Sequence, residues 1–140
     1  MVNLASILYP VTFGVVLLFS LFLAALGSVS LLAPGKAKAF LLGFATSAFT
    51  HYLEVALRLV VGLSFTCQGP HLLYSGAFTI FGWMLVGTSA VLLLLPWKWH
   101  RLFAEKAVPP VLRYIALVGV VSLGVGTVLL ILLLKSLPYK

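Results

Sequence analysis

Apolar residues fall into four long runs, separated by short clusters of Pro, Gly and cations. The first covers residues 8–32 and ends at Ala33-Pro34-Gly35. The second covers 40–65, the third 72–95 up to Pro96, and the fourth 111–134. Each exceeds the ~20 residues that a helix needs to cross a hydrocarbon core of ~30 Å. The pattern predicts an all-α integral membrane protein, a small bundle of four transmembrane helices forming one membrane domain over 1–140. Between the third and fourth runs, residues 97–108 interleave Trp97 and Trp99 with Lys98, His100 and Arg101, and Pro109-Pro110 follow. Indole rings favour the headgroup region and long cations snorkel to phosphates. This stretch therefore reads as a short amphipathic helix on the membrane surface, anchored by Trp97, Lys98, Trp99 and Arg101.

Small residues recur within the runs where one helix can approach another closely. Ser20, Ala24 and Ser28 form one such ridge, Gly119, Ser122 and Gly126 another, and Gly76, Gly82 and Gly87 supply packing points beside a large Trp83. There is also an internal echo. Leu32-Ala33-Pro34-Gly35-Lys36-Ala37-Lys38 resembles Leu94-Leu95-Pro96-Trp97-Lys98-Trp99-His100, and at the same offset Gly14 meets Gly76 and Phe19 meets Phe81. A parallel duplication of two hairpins would produce this pattern.

Composition supports the membrane class. Hydrophobic residues make up 63% and charged residues 8% of the chain, whereas soluble domains carry about a quarter charged residues. The formal net charge of +7 does not signal nucleic acid, because the cations sit in connecting segments. Lys36, Lys38, Lys98, Arg101, Lys106 and Arg113 fall on one side of the four spans, against Lys135 and Lys140 on the other. The positive-inside rule then places loops one and three in the cytoplasm and both termini outside. The expected setting is a bacterial inner membrane. The expected partners are the bilayer and either a second copy or another membrane protein. The first run lacks a basic leader and is too long for a signal core, so it is expected to be retained. The single Cys67 allows neither an intramolecular disulfide nor a multi-cysteine metal site.

Concentrated polar chemistry occurs in one place. Ser47, His51, Glu54, Arg58 and Gly62 line one side of the second predicted helix, with Phe44 and Phe65 near the ends. Glu54 falls close to the middle of that run. Ionisable groups at membrane depth are costly and face protein or water. Glu54 and Arg58 are spaced i, i+4 with the acid first, the favourable order for an ion pair. The strip supports four readings: a polar clasp between helices, a proton or ion path, an anionic-headgroup contact through Arg58, or a haem or quinone ligand at His51. A bis-histidine haem needs a second histidine at similar depth, and His71 and His100 are expected in loops on opposite sides. No cofactor or metal is therefore predicted.

Motifs of soluble enzymes are absent, and the two acids, Glu54 and Glu105, are placed at different depths. Length and span number are similar to those of small multidrug transporters, yet the first helix here has no Glu to match theirs. The microsomal glutathione-transferase family shares the span number, but its Glu–Arg motifs find no counterpart. The expectation is a non-enzymatic structural or accessory subunit. The alternative is a small transporter or channel component using the His51–Glu54–Arg58 strip.

Overall fold

A computed structural model of the chain describes residues 4–43 and 46–137. Among these, every regular element is helical: α1 (Leu4–Leu32), α2 (Pro34–Gly43), α3 (Ala48–Gln68), a 3₁₀ turn (Gly69–His71), α4 (Ser75–Leu94), α5 (Trp97–Arg113) and α6 (Ile115–Ser136). Four segments, within α1, α3 with its 3₁₀ turn, α4 and α6, are long and apolar enough to span a membrane. Lipid offers no partner for a backbone N–H or C=O, so the helix, which satisfies them internally, is the form these runs must take. The protein is an integral membrane protein.

Glycines decide how the spans pack. At Gly126 of α6 an added Cβ would lie 2.7 Å from the Ala24 amide nitrogen and 2.8 Å from the Ser20 carbonyl oxygen of α1. Gly27 meets Leu123 and Gly119 as closely, which fixes α1 and α6 as an antiparallel pair in near backbone contact. The predicted ridge is thus shifted. Gly27, not Ser28, continues it beyond Ala24, because Gly27 is the position that stands against the Leu123 and Gly119 backbone. Leu123 rather than Ser122 fills the space between Gly119 and Gly126. The second antiparallel pair, α3 with α4, closes through Gly62 against Leu85 and Val86, Gly82 against Thr66, and Gly69 against Thr79. Gly76 and Gly87 face open space, and Trp83 lies on the outer surface. They take no part in this packing. The two pairs join where α1 meets α3, around buried Val16, Phe65, Leu72, Leu129 and Leu133. Between α4 and α6 an apolar groove of about 460 Å³ remains, lined by Phe78 and residues from Val120 to Leu129.

The order long, short, long helix occurs twice. The short helices α2 and α5 lie at the same end of the bundle, each against the first turns of a span from the other half. Ala37 and Leu41 of α2 pack with Ile115 and Val118 of α6, and Val108 and Leu112 of α5 join that cluster. Here α2 is the clearest departure from the sequence reading. The run expected as one span over 40–65 is divided into α2 and α3. Pro34 opens α2, since its missing N–H is no loss at a first helical turn, and the expected Gly35–Lys38 turn is helical. A capping box then starts α3 afresh, with the Ser47 hydroxyl accepting from the Thr50 N–H and the Thr50 hydroxyl accepting from the Ser47 N–H. Ser47 is therefore the N-cap of α3, and Phe44 lies outside the described residues. Nor do Pro109 and Pro110 stop α5 at 108. Prolines remove two N–H donors, to the carbonyls of Glu105 and Lys106. Both residues are exposed, so water or headgroups can satisfy those carbonyls. The helix continues to Arg113, and Tyr114 alone (φ −105°, ψ 34°) separates it from α6.

Candidate functional site

The polar cluster is built where α5 folds back over the start of α3. On α5, His100, Ala104, Val108 and Leu112 recur every four residues and form the inward stripe, with Ala104 and Leu112 buried. Trp99, Leu102 and Phe103 form an outward apolar face, each more than half exposed. Lys98, Arg101 and Glu105 form a third face, on which the Arg101 Nε donates to Glu105 at 2.8 Å. The anchors expected from the sequence divide between these faces, with Trp97 partly covered at the helix start.

His51, in the first turn of α3, is 1% exposed. Its Nδ1 lies 2.8 Å from the Nδ1 of His100, with ring centroids 4.6 Å apart. His100 was expected in a loop away from the strip, and it is instead the partner of His51. One hydrogen must lie between the two nitrogens. The other nitrogen of His51, Nε2, is buried without a partner. A buried orphan N–H is rarer than an under-satisfied acceptor, so we assign the donated hydrogen to His51 Nδ1 and the acceptor to His100. Burial holds the His100 imidazole below its ordinary pKa of 6.5. The Glu54 carboxylate opposes that shift, while His51 and Arg58 reinforce it.

Arg58 donates to Glu54 at 3.1 Å, and both side chains keep substantial exposure, 36% and 24%. The pair sits nearer the end of its span than the sequence suggested. Extending the Gly62–Leu85 and Thr66–Gly82 register places Glu54 level with Leu94 and His51 level with Trp97, where α4 ends. Glu54 thus belongs to the end of the span, and Arg58 reaches one turn deeper. The sequence placed Glu54 at mid-membrane because it counted the apolar residues of α2 as part of the same span.

Beyond Arg58 the interior is aromatic. Phe65 meets Phe19 and Phe81 edge-on at 5.7 and 5.1 Å and stacks with Phe78 at 6.2 Å. A second polar group lies past this plug, at the opposite end. The Gln68 amide donates to the Tyr9 carbonyl at 2.8 Å and to the Thr12 hydroxyl at 2.7 Å, beside a cavity of about 290 Å³ that Cys67 and His71 also line. Gln68 was missed in the sequence, where it stood out only as one amide closing an apolar run. His100 left a weaker signal, the every-fourth-residue stripe of His, Ala, Val and Leu.

The imidazole pair does not fit the haem arrangement. Two metal–nitrogen bonds of about 2 Å each would require roughly 4 Å between nitrogens that stand 2.8 Å apart. Among the described residues no group of three or more His, Cys, Asp or Glu side chains is placed to hold a metal ion. Comparison with protein-family models, curated proteins and solved structures finds no match to the chain.

Proposed function

We propose that this protein is a non-enzymatic structural or accessory component of a membrane, in which the polar groups at the start of α3 form a clasp that seats α5 on the membrane surface. One observation carries the reading: the three ionisable side chains of the strip are partnered within the chain, Glu54 by Arg58 and His51 by His100 on α5. Seated this way, α5 presents Trp99, Leu102 and Phe103 to lipid and Lys98 and Arg101 to headgroup phosphates. With the basic end in the cytoplasm, the device faces a bacterial inner membrane's inner leaflet. An accessory role implies association with a second copy or with another membrane protein. The competing reading, a transporter or channel component, has the strip as its pathway, and the Phe19–Phe65–Phe78–Phe81 plug beyond Arg58 weighs against it.

Paired variants test the clasp. Glu54→Ala leaves the Arg58 charge without its partner, a cost approaching ~2.5–3.5 kcal/mol at the bilayer centre and smaller nearer the surface. The double change to Ala at both positions removes that charge, so it is expected to destabilise less than Glu54→Ala alone when unfolding in bicelles is followed. Equal or greater damage from the double variant would refute a structural pair. In proteoliposomes, proton flux that depends on Glu54 and disappears in Glu54→Gln would establish the transport reading instead.

A further inference from the structure

A pair of titratable rings ties α5 to α3, and their geometry makes the tie depend on protons. At 2.8 Å the two Nδ1 atoms are at hydrogen-bonding distance, which requires one donor and one acceptor. A neutral pair meets that condition, and so does a pair carrying one extra proton. When both rings are imidazolium, every ring nitrogen carries a hydrogen and no acceptor remains. Two N–H groups and two positive charges would then face each other at a separation that normally holds one shared hydrogen. We infer that His51 and His100 form a proton-operated latch, which holds the first half of α5 against α3 while at least one ring is neutral and releases it when both are charged. The inference rests on the clasp reading and adds its regulation.

The rest of α5 explains what would move. Its far end is held by apolar contacts of Val108 and Leu112 with Ala37 and Ile115, which do not titrate. Residues Trp97 to Ala104 therefore lift from α3 between two hinges, the Leu95–Pro96 link to α4 and the Val108–Leu112 contacts. The released half carries Trp99, Leu102 and Phe103 on its outer face and so stays in the interfacial layer, away from α3.

The charged groups around the pair set the direction. From α3, Glu54 favours charging of His100, Arg58 and His51 oppose it, and the Tyr52 ring stands edge-on to His51 at 5.0 Å. On α5, Arg101 and Glu105 are exposed and paired with each other, Lys98 shares their outer face, and Lys106 is exposed beyond them. Arg113, with Lys36 and Lys38 of α2, lies toward the Val108–Leu112 hinge. The first turns of α6 bring Ile115 and Val118 but no charge, since its one cation is Lys135 in the last turn. Burial outweighs the pull of the Glu54 carboxylate, so latched His100 titrates below a free imidazole. The released state binds the second proton more readily than the latched state. Linkage then makes the latch fully present above the ordinary imidazole range near ~6.5 and lost as pH falls through the lower, latched value.

Spin labels on Lys98→Cys and on the exposed Phe49→Cys of α3, in a Cys67→Ser background, read the separation of α5 from α3 in phosphatidylcholine–phosphatidylglycerol vesicles. The expected result is one narrow distance distribution at neutral pH that lengthens and broadens in a single transition below pH ~6.5, and His100→Phe should abolish that transition. A distribution unchanged at all pH values down to the carboxylate range overturns the latch while leaving the clasp standing. A distribution already long and broad at neutral pH overturns the clasp itself. A transition that persists in His100→Phe also overturns the latch. If that variant does not fold, ¹⁵N-imidazole NMR of the unmodified protein decides the matter. Coupling across Nδ1–H···Nδ1 at neutral pH that vanishes in acid supports the latch, and its absence at neutral pH refutes it.

Discussion

Gly124 and Gly126 stand two residues apart on α6 and make opposite demands on a side chain. A Cβ at Gly124 meets nothing within 4 Å, whereas one at Gly126 falls 2.7 Å from the Ala24 nitrogen and 2.8 Å from the Ser20 oxygen. Carbon atoms in contact prefer about 3.5–4.0 Å, so Gly126→Ala must push α6 from α1 by roughly 1 Å. The obstructing atoms are mainly backbone, and no rotamer change can relieve them. The displacement propagates to Gly27 against Leu123, which is packed as tightly, and to Gly119 against Ser30 at 3.0 Å on the same seam. Overpacking of this kind costs about 1–3 kcal/mol, and Gly126→Leu should exceed that. Gly124→Ala removes a helix-interior glycine at no steric cost, which helix propensity puts at up to ~1 kcal/mol in its favour. Reversible unfolding in mixed micelles, followed by circular dichroism, compares the two. Equal stability for the two alanine variants would refute the claim that close backbone approach at Gly126 sets the α1–α6 pairing.

Gln68→Leu should cost roughly 1–3 kcal/mol in the same assay, because it removes two interhelical hydrogen bonds from α3 to Tyr9 and Thr12. An unchanged unfolding midpoint would show that the amide does not join α1 to α3. If the basic end is cytoplasmic, an impermeant maleimide applied to intact cells should label exposed Cys67 and spare Lys98→Cys placed in a Cys67→Ser background. The converse pattern reverses the orientation. Brominated lipids should quench a protein retaining only Trp99 from shallow positions and one retaining only Trp83 from deep ones. Equal depths would remove α5 from the membrane surface.

Much of this architecture is legible along the chain, and the errors along the second predicted span share one cause. Four spans follow from runs of apolar residues longer than a bilayer needs, and the amphipathic α5 follows from Trp97 and Trp99 among cations. Hydropathy cannot register a break that changes no polarity, however, and the division between α2 and α3 falls within such a run. Its local signal was the Ser47–Thr50 capping box, a hydrogen-bonding pattern rather than a hydropathic one. Missing that break placed Glu54 more than a helical turn too deep and hid the capping role of Ser47. Glu54 with Arg58 was recoverable because the pair is four residues apart on one helix, and helix geometry alone brings such side chains together.

The sequence by itself determined the class, the number of spans, the two clusters of cations and the Glu54–Arg58 pair. Each of these depends on composition or on distances of one or two helical turns. Only the tertiary structure decided which glycines are seams, since Gly82 and Gly126 differ from Gly76 and Gly124 by what stands opposite them. The meeting of His51 with His100, forty-nine residues apart in the chain, was likewise decided there. Periodicity assigns a side chain to a face of its own helix, but the partner opposite that face depends on how the helices pack, here on backbone contacts that α1, α3, α4 and α6 make through glycine.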